Sequence, residues 1–355
     1  MKELTLKPHR MEFPREIVIG EGTLDLLPSI CSKLKLKSAF VVTGKTTYDI
    51  AGKTVIDLLL DSDMEVDYEV LGSSSEIDNV RVAESRILKT KPQVVLGVGG
   101  GNKIDIAKLS SFRQNVPFIS VPTAATHDGI ASPVASFKRQ ERPYSTMAQS
   151  PIVIVIDTNV IAKTPRRFTI SGCGDAIAKY TAVRDWKLAH ERRNDYYGEY
   201  AASLALMGAT HIIENAGKIG EGDEEGLRIL LEALISCGVA MGIAGSSRPC
   251  SGSEHLFCHA LSLLQPNSIL HGECCGIGTI MMAYLHKADW RLIRSTLESL
   301  GAPTTAENLN IKPELVIEAL KTAGEIRPER YTVLNEIKIT DELAEAIAKK
   351  TEVIT

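Results

Sequence analysis

The hydrophobic pattern of this chain changes character near residue 160. Before that point, short apolar runs alternate with longer amphipathic stretches. EIVIG (16–20), SAFVVTG (38–44), EVDYEVL (65–71), QVVLGVG (93–99), PFISVPT (117–123) and IVIVID (152–157) are strand-length and predict strands. Helical spacing recurs between most of them, at 23–35, 46–61, 76–90 and 103–113. Strand and helix in succession make βαβ units and a mainly parallel sheet. The stretch 132–148, two short extended runs around polar KRQERP, interrupts the alternation and predicts a hairpin. Beyond 165 strands almost vanish, and helical patterns follow at 175–192, 197–219, 224–245, 252–264, 271–288, 291–300, 313–325 and 340–350. TPRR (164–167) predicts a hinge. The expected architecture is an α/β, Rossmann-like N-terminal domain with a mainly parallel sheet over 1–164, followed by an all-α C-terminal domain over 165–355. The cleft between two such domains is the expected active site.

Composition narrows the class. The 355 residues have room for two domains, and 44% hydrophobic with 24% charged residues is the balance of a soluble globular protein. The net charge of -4 argues against the basic face of a nucleic-acid binder. No uninterrupted apolar run approaches the ~18 residues of a membrane span. MKELTLKPHR at the start lacks the apolar centre of a signal peptide. A cytoplasmic protein without membrane insertion is expected. The seven cysteines (31, 173, 237, 250, 258, 274 and 275) form no CxxC pair, so reduced, buried thiols are expected rather than a zinc knuckle.

VVLGVGGGNKIDIAK (94–108) runs from an apolar strand through a glycine cluster into an amphipathic helix. Glycines let a backbone approach phosphate, and a helix N-terminus adds N–H groups and partial positive charge. Gly97 and Gly99 begin the dinucleotide pattern, but Asn102 stands where its third glycine belongs. The segment reads as a phosphate turn or as a tight strand-to-helix connection without ligand. After 38–43 comes Thr43-Gly44-Lys45 rather than the acidic residue of NAD-preferring folds. Lys45 would balance the 2′-phosphate of NADP, or it is an exposed loop lysine.

SGSEHLFCHALSLLQPNSILHGECCG (251–276) carries three histidines. His255 and His259, four apart on a helix, face one way. QPN (265–267) should stop that helix, so His271 begins the next, and two antiparallel helices would bring His255 and His271 together. A catalytic zinc site takes three protein ligands. The third is expected to be a carboxylate, with Asp175 of TISGCGDAIAKY (169–180) near a helix start; alternatively Asp175 is a helix-terminal acid favoured by the dipole. Imidazole and carboxylate suit Zn²⁺ and Fe²⁺ alike. SVPTAATHDGIASP (120–133) follows the fifth strand; its Asp128 either bonds a substrate hydroxyl or is a surface turn aspartate.

GGGNKIDIAK, PTAATHDGIASPVAS, TISGCGDAIAKYTAVRDWKLA and SSRPCSGSEHLFCHAL…HGE, in this order, resemble the archaeal sn-glycerol-1-phosphate dehydrogenases. These group with glycerol dehydrogenase, the iron-dependent alcohol dehydrogenases and dehydroquinate synthase. The resemblance runs from GEGTLDLLP (20–28) to HKADWRLIR (286–294). It implies that Gly99, Gly100, Gly101, Asn102 and Lys103 hold the cofactor pyrophosphate. Thr123, Ala124, Ala125, Thr126 and Ser132 would line the nicotinamide side. It further implies that Asp175, His255 and His271 bind one zinc per subunit, Asp175 also lying near substrate, and that Asp128 and His259 touch substrate and act in catalysis. The family motif commonly has alanine and serine where Cys250 and Cys258 stand.

The activity so implied is reduction of dihydroxyacetone phosphate by NADPH or NADH to sn-glycerol 1-phosphate, the archaeal lipid backbone, by a homo-oligomer. The substrate phosphate needs cationic partners. Arg248 in SSRPC, just before the histidine helix, is the first candidate, ahead of Lys163, Arg166 and Arg167. Otherwise Arg248 is a surface arginine. His127 receives no role. The competing readings are a glycerol or polyol dehydrogenase acting on unphosphorylated substrate, a lyase of dehydroquinate-synthase type, and a nucleotide-sensing protein without turnover.

Overall fold

The computed structural model describes residues 9–72, 75–139, 142–266 and 269–355. Eight strands occur among them: β1 (Glu16–Gly20), β2 (Ser38–Gly44), β3 (Glu65–Leu71), β4 (Val94–Gly99), β5 (Phe118–Pro122), β6 (Val134–Arg139), β7 (Arg142–Met147) and β8 (Val153–Asp157). Six form one sheet in the order β1-β8-β5-β4-β2-β3, and every pairing in it is parallel. β4, β5 and β8 are buried throughout, as central strands covered by helices on both faces must be, which is why they read as unbroken apolar runs. The hairpin expected over 132–148 is β6 against β7, antiparallel, with Val134 opposite Met147. Residues 140 and 141 at its turn lie outside the described residues.

β4 and β5 end side by side, with Gly99 opposite Pro122. The Thr123 amide donates to Gly99 O at 3.0 Å, so the glycine turn and the 123–133 loop leave the sheet together. Their carboxyl ends form the rim where open α/β sheets take ligands.

The remainder of the chain is helical. Two boundaries differ from the pattern. The helix expected to begin at 175 begins instead as Arg166–Ile177, directly after Pro165, and a second helix runs Lys179–Arg193. TPRR is therefore a helix start, and Asp175 sits in a last helical turn rather than a first one. The stretch 197–219 divides at Asn215 into Glu199–Glu214 and Ala216–Glu221. The histidine helix is Ser253–Leu264, and the next begins at His271 (His271–Leu285). Asn267, part of the expected stop, lies outside the described residues.

Glycines inside Arg166–Ile177 disguise it as loop, but they serve a helix crossing. A Cβ on Gly174 would stand 2.2 Å from Gly272 O, and one on Gly272 would stand 1.7 Å from Ser171 O. Only bare backbones approach so closely. The crossing sets Asp175 against His271.

One buried cluster joins Phe40, Val95 and Phe118 of the sheet to Ile170, Leu234, Phe257 and Ile280 of the helices. The two halves are thus packed on each other. Helix Glu224–Ala244 alone among the described residues is long and apolar enough to cross a membrane, yet 72% of its apolar window is buried inside the fold. All seven cysteines are buried and free.

Candidate active site

The histidine helix is anchored by carboxylates. Asp185 Oδ2 accepts from the Ser253 amide and hydroxyl, both at 2.6 Å, while Oδ1 accepts from the Val333 amide at 2.7 Å and lies 2.9 Å from His286 Nε2. Glu254, fully buried, accepts from the Gly252 amide at 2.7 Å and from Thr181 Oγ1 at 2.8 Å. Its Oε1 also accepts a hydrogen bond from His255 Nδ1 at 2.8 Å. That bond fixes the tautomer and leaves the His255 Nε2 lone pair free to ligate.

His255 Nε2 lies 3.6 Å from Asp175 Oδ1, and His271 Nε2 lies 3.7 Å from the same oxygen. The two rings are 4.9 Å apart. Tetrahedral ligands about 2.0–2.2 Å from a metal ion stand about 3.3–3.6 Å from one another. The donor set and its spacing therefore fit a single divalent cation. The ligand atoms of Asp175, His255, His271 and also Cys275 all lie within 4.8 Å of one another.

Lys179, absent from the sequence-derived site, completes the electrostatics. Its fully buried ammonium lies 2.7 Å from Asp128 Oδ2 and 3.1 Å from Asp175 Oδ2, and it donates to Asp175 O at 2.7 Å. The Asp128 amide donates to Asp175 Oδ2 at 2.9 Å. Burial opposes charge on both partners. Even so, Lys179, aided by the two histidines, holds Asp175 well below the usual carboxylate range, and Asp128 and Asp175 hold Lys179 well above the usual ammonium range.

The histidines divide in behaviour. Burial pushes the His259 imidazole down to about 3, against the pull of Cys258. Burial also acts against His271, but Cys258, 3.5 Å from its Nδ1, together with Asp175 raises it to about 9. Both rings border a cavity, and 38% of the His271 side chain is open to it, so water softens both shifts. His259 stands one turn beyond His255, with ring centres 6.5 Å apart, and does not join the cation cluster.

The cavity, about 370 Å³, has Gly101 and Asn102 on its wall, then Asp128 and the three histidines, and also Ser247, Ser251 and Arg327. Ser132 also lines it. At the glycine turn, Gly99 adopts φ +158°, and the helix begins at Gly101. A side chain at 101 would strike the His127 ring, whose Nδ1 accepts from the Gly129 amide at 2.9 Å. Nothing lies within 4 Å of where a Cβ on Gly100 would be, leaving room for a phosphate against the turn and the first free N–H groups of the helix. Lys103 Nζ donates to Asn102 Oδ1 at 3.0 Å, and Asn102 Nδ2 donates to Glu76 Oε1 at 2.6 Å. Thr123, Ala124 and Ala125 are buried in the loop after β5, and Thr126 O accepts from Ser171 Oγ at 3.4 Å. Lys45 is exposed at the end of β2, outside the cavity wall.

Arg248 also stands apart from the cavity wall. Its guanidinium donates to Tyr331 O at 3.0 Å and reaches Asp195 at 3.5 Å, so it is already committed. Arg166 is bonded to Gly220 O, and Arg167 grips Glu273 through two bonds of 2.6 and 2.7 Å. The arginine on the wall is Arg327, whose guanidinium makes no hydrogen bond or ion pair among the described residues. Behind it, Arg330 donates to Ser247 Oγ at 2.7 Å and to Ser251 O. Burial, then Arg327 and Arg248, pushes the Arg330 guanidinium down to about 9. The like charges of Arg327 and Arg248 act against the charge on Arg330, so an anion at the cavity wall would be favoured there. No motif signals it, because Arg327 and Arg330 come from the C-terminal segment.

Comparison with known proteins gives the fold and the family. The fold is that of glycerol dehydrogenase-like enzymes: a glycerol dehydrogenase from Schizosaccharomyces pombe superposes with a TM-score of 0.79 at 22% identity, covering 99% of this chain and 94% of that one. The family model described as iron-containing alcohol dehydrogenase matches residues 18–165. Glycerol-1-phosphate dehydrogenase (NAD(P)+) of Methanosarcina mazei is 49% identical over 345 residues, 97% of this chain and 96% of its own. The enzyme of the same name from Aeropyrum pernix is 48% identical over 348 residues, 98% of this chain and 99% of its own. The chain belongs to the glycerol-1-phosphate dehydrogenase family.

Proposed function

We propose that this protein catalyses the reversible NAD(P)H-dependent reduction of dihydroxyacetone phosphate to sn-glycerol 1-phosphate, with one zinc ion per subunit held by Asp175, His255 and His271. The observation that carries the reading is the presence, in one cavity, of a cation-type donor cluster, a phosphate-type glycine turn and an unpaired arginine. The names of relatives at nearly half identity support the same substrate.

When bound, the cation supplies Lewis-acid polarisation of the ketone, and the nicotinamide supplies the hydride. The chain itself binds and orients. The turn Gly99–Lys103 receives the pyrophosphate on its amides, and Thr123, Ala124, Ala125, Thr126 and Ser132 shape the nicotinamide side. Lys45, exposed and cationic, favours acceptance of the 2′-phosphate of NADP. Asp128, held by Lys179, accepts from the terminal hydroxyl of the substrate and so selects the face presented. His259, neutral at physiological pH, exchanges a proton with the C2 oxygen directly or through water. Arg327 receives the substrate phosphate in the role first expected of Arg248, with Arg330 adding charge behind it. In this reading 1–164 is the cofactor domain and 165–355 the cation and substrate domain of a cytoplasmic homo-oligomer.

The test is a coenzyme-oxidation assay with dihydroxyacetone phosphate, before and after chelation, followed by chiral analysis of the product. Activity should vanish with the metal, return with zinc and give the sn-1 enantiomer. Turnover surviving complete metal removal rejects the cation role. Equal rates with unphosphorylated dihydroxyacetone favour a polyol dehydrogenase, and absence of net coenzyme oxidation favours a lyase.

A further inference from the structure

The fold makes room on two sides for the ring of His127, a residue that the cation and substrate roles leave unused. A Cβ on Gly101 would stand 1.9 Å from its Nε2, and a Cβ on Gly129 would stand 2.3 Å from its Cε1. Only glycine at both positions lets an imidazole lie there. Gly101 is the first residue of the helix Gly101–Arg113, so the ring is seated on the end of the glycine turn. On its other side is the cation cluster: the His127 and His271 ring centres are 6.5 Å apart, edge to face. The imidazole therefore stands between the phosphate-type turn and the cation-type donors, on the wall of the cavity.

The loop fixes which nitrogen holds the proton. The Gly129 amide can only donate, and it donates to His127 Nδ1 at 2.9 Å. Nδ1 thus offers a lone pair, and the ring is the neutral tautomer with its proton on Nε2. Burial works in the same direction, lowering the imidazole against the pull of Asp105 and Asp175. Nε2–H makes no hydrogen bond among the described residues. It stands against Gly101, one residue from the open space at Gly100.

We propose that His127 donates its Nε2–H to the pyrophosphate of the bound dinucleotide. The inference rests on the cofactor reading above, and it adds a side chain of the loop after β5 to the amides of the turn. A phosphate oxygen suits this donor better than a hydroxyl. An anionic acceptor strengthens the bond, and the helix N-terminus favours negative charge at the same point. With Asp128 next in the chain, cofactor and substrate are gripped by consecutive side chains of one loop.

His127→Asn separates the two nitrogens. The shorter side chain can still accept from the Gly129 amide, but it leaves no N–H at the Nε2 position. Full-length wild-type and variant proteins are titrated with NADPH, ADP and 2′-AMP. ADP carries the pyrophosphate without the nicotinamide ribose, and 2′-AMP carries neither. NADPH and ADP should each bind about 10–100-fold more weakly to His127→Asn, the worth of a hydrogen bond to a charged group, while 2′-AMP binds unchanged. Undiminished NADPH affinity overturns the inference. So does a loss that spares ADP, which would send the donor to the ribose, or one that extends to 2′-AMP, which would mean a distorted turn. A crystal structure of the wild-type NADPH complex decides even if the variant misfolds. Nε2 should lie within about 3.2 Å of a pyrophosphate oxygen, and a separation beyond about 4 Å overturns the contact. Folded wild-type protein that binds no NADPH overturns the cofactor reading and this inference together.

Discussion

Lys179 Nζ lies 2.7 Å from Asp128 Oδ2, and the same fully buried nitrogen reaches Asp175 Oδ2 at 3.1 Å. One ammonium thus ties the expected substrate-orienting carboxylate to the expected cation ligand. Removing one partner of a buried pair leaves an uncompensated charge. In the metal-free protein, Lys179→Met should lower stability by roughly 3–5 kcal/mol in chemical denaturation. A loss below about 1 kcal/mol, the scale of an exposed pair, would mean that the backbone amide and other partners already satisfy both carboxylates.

Asp128 and Asp175 should separate in their effects. Asp128→Asn keeps the side-chain volume but weakens substrate orientation, so kcat/KM should drop about 100-fold with metal content intact. Loss of zinc from this variant, measured by elemental analysis, would place Asp128 among the ligands instead.

The arginines give a substrate-specific contrast. Arg327→Met should raise KM for dihydroxyacetone phosphate by roughly 10–100-fold, the worth of charge-assisted hydrogen bonds, and leave KM for dihydroxyacetone nearly unchanged. Arg248→Met should mainly affect stability, because its guanidinium is bonded to Tyr331 O and Asp195. Equal damage to both substrates by Arg327→Met would remove it from the phosphate site.

His259 and His271 should pull metal-free stability in opposite directions with pH. The folded His259 stays neutral down to about 3, below its unfolded value near 6.5. As pH falls through 6.5 toward 3 the unfolded chain takes up a proton that the folded ring resists, so stability drops. The His271 value of about 9 lies above the unfolded one, so its contribution is complete below 6.5 and fades as pH rises through 9. Urea midpoints should show His259→Gln flattening the acid limb and His271→Gln flattening the alkaline limb. An unchanged acid limb in His259→Gln would show that cavity water cancels the burial effect.

Much of this architecture was legible in linear order. β4, β5 and β8 carry unbroken apolar runs because both faces are covered, and the glycine turn follows β4 where the backbone must turn sharply. His255 and His259 share a helix face by spacing alone, and His271 starts the next helix as Gln265 and Pro266 suggested. The start of the helix bearing Asp175 is hidden in the sequence, because glycines that mimic a loop serve the close approach of Gly174 to Gly272. Proximity in sequence to the histidine helix pointed to Arg248, but the Tyr331 carbonyl and Asp195 decide where that guanidinium goes.

Local periodicity and turn chemistry act over a few residues, and to that range the sequence by itself determined the strands, most of the helices and the shared helix face of His255 and His259. The pairing of Lys179 with Asp128, the arginine on the cavity wall and the thiol beside the imidazoles were decided only by the tertiary structure. Each depends on the direction and burial of a side chain whose partners the packing of sheet and helices brings from distant segments or an adjacent helical turn.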